Sequence, residues 1–102
     1  MNAAVAAHQR EIARLCREFH VQRLELFGSA LNAGFDSGRS DFDFLVEFAP
    51  LPSGEYATAF FSFKAALERI FERPVDLVVA SAIRNPYFRQ SIEQSKALLY
   101  AA

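Results

Sequence analysis

Val5, Ile12, Leu15, Cys16 and Phe19 recur at helical spacing, with Arg10, Glu11, Arg14, Arg17 and Glu18 filling the other face. This pattern predicts an amphipathic helix over residues 3–19. Residues 20–23 break the pattern, and 24–27 read as a short strand ending at the turn Gly28-Ser29. Ser29 can cap a short helical turn over 30–32 that Gly34 stops, ahead of a polar loop at 35–40. From 41 to 48 the residues alternate strictly: Phe42, Phe44, Val46 and Phe48 on one face, Asp41, Asp43, Leu45 and Glu47 on the other. That is the clearest strand of the chain. Pro50, Pro52 and Gly54 mark a linker, after which Phe60, Phe63, Leu67, Ile70 and Phe71 predict a second long helix that Arg73-Pro74 ends. Residues 75–79 form a brief β-branched run holding Asp76, and Asn85-Pro86 opens a last helix, with Phe88, Ile92 and Leu99 on its stripe, running to about Leu99. The predicted order is α, β, short α, β, α, β, α, an α/β (α+β) class read as one domain over residues 1–102.

Charge narrows the function. Eleven Lys and Arg against 12 Asp and Glu leave a formal charge of −1, too little basic excess to coat a nucleic-acid backbone, so a bound nucleotide must be gripped by a local site. The apolar stretches are far shorter than the roughly 18 residues a membrane span needs, and the N-terminus lacks a signal-peptide core. A cytoplasmic protein with no membrane partner is expected. Cys16 is the only cysteine, which excludes an internal disulfide and a cysteine metal cage; on the apolar stripe it reads as a small buried hydrophobe. Eleven Phe with three Tyr and no Trp is a heavy aromatic load. Packing inside ranks ahead, and a share facing a partner leaves homo- or hetero-oligomers open.

Asp41 and Asp43 sit two apart on one strand, so both carboxylates project from the same face about 7 Å apart and can reach one shared ion. A divalent cation relieves the repulsion of such a pair. Taken alone, an Asp-x-Asp more often marks a solvated strand end. Asp76, inside a short apolar strand, adds a third acid where an unpaired charge is expensive; its other reading is an ion pair with Arg73 or Arg84. Three hard-oxygen ligands suit Mg²⁺, whose shell is normally completed by waters and substrate phosphates, which favours a nucleotide substrate. At Gly28-Ser29, a strand running into a glycine turn and a helix N-terminus presents backbone N–H groups, and the Ser29 hydroxyl, to a phosphate; Ser29 as a simple cap is the other reading. Lys64 and Lys96 read as solvated lysines on amphipathic faces, and His8 and His20 as surface or helix-end histidines.

The residues Leu26-Phe27-Gly28-Ser29, the run over 40–48 containing Asp41-Phe42-Asp43, and Val75-Asp76-Leu77-Val78 together resemble the minimal nucleotidyltransferase (MNT) family of the DNA polymerase β superfamily. The resemblance spans nearly the whole chain. It implies a small mixed β-sheet flanked by helices, with Asp41, Asp43 and Asp76 as catalytic and metal ligands for two Mg²⁺ ions, and Asp76 as general base. Gly28 and Ser29 would hold the triphosphate of ATP. It further implies a type VII-like antitoxin that transfers AMP to a tyrosine of a HEPN RNase toxin. Where the family continues Gly-Ser-x-Ala-Arg-Gly, this chain has Asn32 and Ala33, so the turn's cation is absent and Arg39 is the candidate substitute. The alternatives are a non-catalytic antitoxin that occludes its toxin, and a nucleotidyltransferase with another acceptor.

Overall fold

The computed structural model describes residues 3–28 and 42–102. The predicted first helix is present but broken: α1 spans Ala3–Ala7 and α2 spans Gln9–Glu18. The break falls at His8, whose ring stands edge-on to Phe71 with centroids 5.7 Å apart and whose Nδ1 lies 3.1 Å from Glu11 Oε1. His20, at φ 61°, turns the chain into β1, Val21–Phe27. This strand starts three residues earlier than its apolar run suggested, because Val21 and Arg23 pair with Phe48 and Glu47 of the neighbouring strand across a bulge.

Strand β2, Phe42–Phe48, keeps the alternation read from sequence. Helix α3, Tyr56–Phe71, begins ahead of its first apolar marker and ends where Glu72 adopts φ 54° before Pro74. Strand β3, Val75–Val79, then lies parallel to β2, and a 3₁₀ turn at Ala80–Ala82 leads to α4, Pro86–Gln94. Asn85 caps α4 as expected: its Oδ1 accepts from the Tyr87 and Phe88 N–H groups at 2.9 and 3.2 Å.

The last predicted helix is too long. It stops at Gln94, where Ser95 leaves helical geometry at φ −146°, and Ala97–Ala101 form a fourth strand, β4, antiparallel to β1. Leu99 therefore belongs to a strand. The sheet order is β3-β2-β1-β4, a mixed sheet with β2–β3 as its parallel pair.

One face of the sheet holds most of the core. Leu24, Leu26, Phe42, Phe44, Val46 and Phe48 point from the sheet into the layer built by Ile12, Leu15 and Cys16 of α2 and Phe63, Ala66 and Leu67 of α3. Phe71 stacks on both Phe42 and Phe44, with centroids 4.3 and 5.9 Å apart. Full burial of a Phe contributes about 1.5–3 kcal/mol, and a one-residue slip of β2 would bury Asp43 and Glu47 in place of these rings, so the register is firmly set. The aromatic surplus is thus mostly core: Phe42, Phe44 and Phe63 are fully buried, while Phe61 and Phe88 are exposed. Cys16 is buried as expected, which pushes its thiol up to about 12.

Candidate active site

Since Phe42, Phe44, Val46 and Phe48 face the helices, Asp43, Leu45 and Glu47 face the opposite side. The parallel register sets Asp43 directly beside Asp76 of β3, and the antiparallel register sets Phe27 of β1 on its other side. Neighbouring strands lie about 4.8 Å apart, so the two carboxylates rise side by side from one end of the sheet. Asp43 is half-buried and Asp76 exposed. Helix α4 covers the same face farther along: Ile92 is buried against Phe27 and Leu45, and the Phe88 ring meets Phe27 edge-on at 6.2 Å.

Gly28 closes the third side. It follows Phe27 at φ +75°, a conformation that L side chains rarely adopt. A Cβ placed there would overlap Asp43 Oδ2 and lie 3.2 Å from Asp43 Cγ. The glycine is what lets the β1 backbone pass against the Asp43 carboxylate.

Of the residues singled out by sequence, Asp43, Asp76 and Gly28 are thus brought together. Ser29, Arg39 and Asp41 lie outside the described residues, as do Asn32 and the short helical turn expected after Ser29. The ion-pair reading of Asp76 is not met: among the described residues neither Arg73 nor Arg84 pairs with it. Instead, the Arg73 guanidinium lies over the Phe42 ring, 5.8 Å from its centroid. Two adjacent carboxylates, as hard-oxygen donors, are a chemically suitable part of a Mg²⁺ site.

The solvated-lysine reading of Lys64 and Lys96 is corrected. Lys64 Nζ pairs with Glu68 Oε2 at 3.1 Å, and that same oxygen accepts from the Val75 N–H at 3.0 Å, tying α3 to the start of β3. These two bonds hold the Glu68 carboxyl below its usual 4.5. Lys96 Nζ lies 3.1 Å from both Glu93 Oε1 and Glu25 Oε2. Glu25 is buried on β1, and Arg23 Nε approaches its other oxygen at 3.4 Å. The bonds to Glu93 and Glu25 raise the Lys96 ammonium above its ordinary value. Sequence reasoning passed over this network; the signal was a lone acid between Leu24 and Leu26.

A cavity of about 640 Å³, bordered by Phe48, Tyr56, Phe60 and Val79, lies at the far ends of β2 and β3. The chemistry is read from the acids, not from this hollow. No described helix is long and apolar enough to cross a membrane.

This mixed sheet with flanking helices, with two acids in register beside a glycine turn, is the polymerase β-like nucleotidyltransferase fold. The family profile described as "Nucleotidyltransferase domain" matches residues 10–99, and the chain belongs to that family. Its resemblance to the minimal nucleotidyltransferases holds at the level of family and fold. Two Methanocaldococcus jannaschii proteins, MJ0128 and MJ1379, both named as candidate protein adenylyltransferases, are similar to it. The first is 38% identical over 81 residues, 78% of each chain, and the second 32% over 77 residues, 76% of this chain and 75% of the relative. A solved structure described as a candidate minimal nucleotidyltransferase superposes with a TM-score of 0.73 at 26% identity, covering 91% of this chain and 90% of that one. The Shewanella oneidensis complex of a tri-AMPylated HEPN toxin with its MNT antitoxin shares the fold, at a TM-score of 0.65 and 21% identity over 95% of this chain and 72% of that one.

Proposed function

We propose that this protein is a Mg²⁺-dependent protein adenylyltransferase that moves AMP from ATP onto a tyrosine hydroxyl of a HEPN-type toxin and thereby acts as its antitoxin. The observation that carries the reading is the side-by-side placement of Asp43 and Asp76 against the Gly28 turn. The names of the curated relatives supply the class of acceptor, a protein. The fold shared with an MNT antitoxin in complex with its HEPN toxin supports the partner.

In this reading Asp41, Asp43 and Asp76 hold the metal, with two ions expected. Bound Mg²⁺ would supply charge neutralisation at the phosphates and lower the pKa of the attacking hydroxyl. Gly28, Ser29 and Arg39 would hold the triphosphate, since a glycine turn offers N–H groups that donate to phosphate oxygens. Asp76 accepts the proton of the tyrosine hydroxyl. The phenolic oxygen forms a bond to the α-phosphorus as the bond to the leaving oxygen breaks in line, giving tyrosine-O-AMP and pyrophosphate. Asn32 in the turn removes a cation from the triphosphate side, which motivates the second reading, an antitoxin that acts by occlusion alone.

Intact mass of a co-expressed HEPN partner after incubation with ATP and Mg²⁺ separates these readings. A gain of AMP units that disappears with Asp41→Ala/Asp43→Ala supports transfer. An unmodified toxin held in a stable complex by both versions refutes it in favour of occlusion.

A further inference from the structure

Strand β3 stops at Val79, which pairs with Val46, so Glu47 and Phe48 of β2 run on past the end of their neighbour. The cavity of about 640 Å³ opens beside them, closed by Val79, by Ser81 of the 3₁₀ turn, and by Tyr56 and Phe60 from the first turns of α3. That volume falls within the range of about 300–1,000 Å³ typical of small-molecule sites, more room than one inserted side chain fills. The Leu51 N–H donates to Tyr56 Oη at 2.8 Å, which fixes the Tyr56 ring as part of the wall. The hollow lies apart from the acid pair, because Glu47 stands four residues beyond Asp43 on the same strand, about 13 Å away at about 3.3 Å per residue.

Glu47 gives the cavity its sign. Its Oε2 accepts from the Ser81 N–H at 3.1 Å, and among the described residues it forms no ion pair. Three cations share a smaller neighbouring hollow with Glu47, and each is held elsewhere: Arg23 and Lys96 bond to Glu25, and Arg89 donates to the Ile83 carbonyl at 2.6 Å. Among the described residues no Lys, Arg or His lines the larger cavity. A phosphate or carboxylate ligand would meet the Glu47 charge with nothing to offset it, whereas an ammonium would neutralise it. Phe48, Tyr56 and Phe60 offer aromatic wall to the hydrocarbon body of such a cation and attract the charge itself. We propose that this cavity is a second ligand site, taking a small organic ammonium whose cation bonds to the Glu47 carboxylate and whose alkyl or aryl body packs on Phe48, Tyr56 and Phe60. The site stands independently of the adenylyltransferase reading.

The experiment is a heteronuclear NMR titration of the protein with phenethylammonium chloride, with 2-phenylethanol as its uncharged counterpart, and with a capped Gly-Lys-Gly peptide. The amine should shift the Ser81 and Leu51 amide signals, whose N–H groups bond to Glu47 and Tyr56. It should bind about ten-fold more tightly than the alcohol, as expected for one charge-assisted hydrogen bond. Glu47→Gln keeps an oxygen for the Ser81 N–H and removes the charge, so it should bring the two Kd values together. Tyr56→Leu should weaken both probes, and Asp43→Asn neither. Wild-type protein that binds the amine no better than the alcohol overturns the proposal, as does a preference that survives Glu47→Gln. Shifts that vanish with Asp43→Asn also overturn it, by moving the amine to the acid pair. Saturation by the peptide with no response to the free amine overturns it in favour of a lysine side chain from a protein partner.

Discussion

Gly28→Ala tests the site through a single methyl group. At φ +75° a non-glycine residue costs about 1–2 kcal/mol in backbone strain. The added Cβ would also overlap Asp43 Oδ2 and lie 3.2 and 3.4 Å from Asp43 Cγ and Cβ. Only the carboxylate can give way, since the Asp43 Cβ is fixed by the β2 register between Phe27 and Asp76. Driving that short side chain off its rotamer adds about 0.5–1.5 kcal/mol. The sum, about 1.5–3.5 kcal/mol, lowers Tm by roughly 6–28 °C for a chain of this size. Transfer should fall more steeply, about a hundred-fold at temperatures where the variant stays folded, because a displacement near 1 Å at a reacting centre has that effect. Gly54→Ala is the matched control: Gly54 has φ +90° and nothing within 4 Å of its added Cβ, so it carries the backbone strain and no contact with the site. Thermal melts by circular dichroism and AMP transfer by mass spectrometry on both variants supply the comparison. If the two lose activity equally in the folded state, or if Gly28→Ala keeps wild-type transfer, the Gly28 contact does not set the Asp43 carboxylate.

Glu25→Ala, which strips the buried partner of Lys96 and Arg23, should cost about 1–3 kcal/mol in urea denaturation; a loss below about 0.5 kcal/mol would mean that the network adds nothing net. Glu68, held below its usual 4.5 by the Val75 N–H and Lys64, contributes stability that is present above that value and lost as pH falls through its folded-state pKa. Glu68→Gln should therefore flatten the acid limb of the stability curve, and parallel acid limbs would contradict the assignment. Lys96, raised above 10.5 by Glu93 and Glu25, contributes stability that is intact below 10.5 and lost as pH climbs past its raised value, so Lys96→Met should remove an alkaline loss that wild-type protein shows. Cys16, with its thiol pushed up to about 12 by burial, should resist iodoacetamide at pH 8 in the folded chain and react once urea unfolds it; fast labelling of folded protein would place the thiol at the surface.

The elements legible in the sequence are those whose signal is local. The alternation of 42–48, the α3 stripe ended by Arg73-Pro74 and the Asn85-Pro86 cap each appear in the structure where they were read. Strand β4 was hidden because Phe88, Ile92 and Leu99 also satisfy a helical period, and no glycine or proline stands between Gln94 and Ala97 to stop it. What makes Ala97–Ala101 a strand is its pairing with β1, a contact that local periodicity does not encode. The candidate site divides along the same line. The acids and the glycine were visible as residue types at a spacing, but their meeting depends on which strands become neighbours and in what register. Once residues 42–48 and 75–79 are taken as strands joined through one helix, a parallel crossover is the expected connection; the register that sets Asp43 beside Asp76 is added by the folded sheet. The Gly28–Asp43 approach needs more: β1 must enter antiparallel to β2 with Phe27 opposite Asp43, and the bulge between Val21 and Arg23 shifts the pairing at the other end of that strand. A residue count along the chain contains no such offset, so the close contact that makes glycine obligatory at position 28 follows from the folded sheet, although the glycine itself was plain in the sequence.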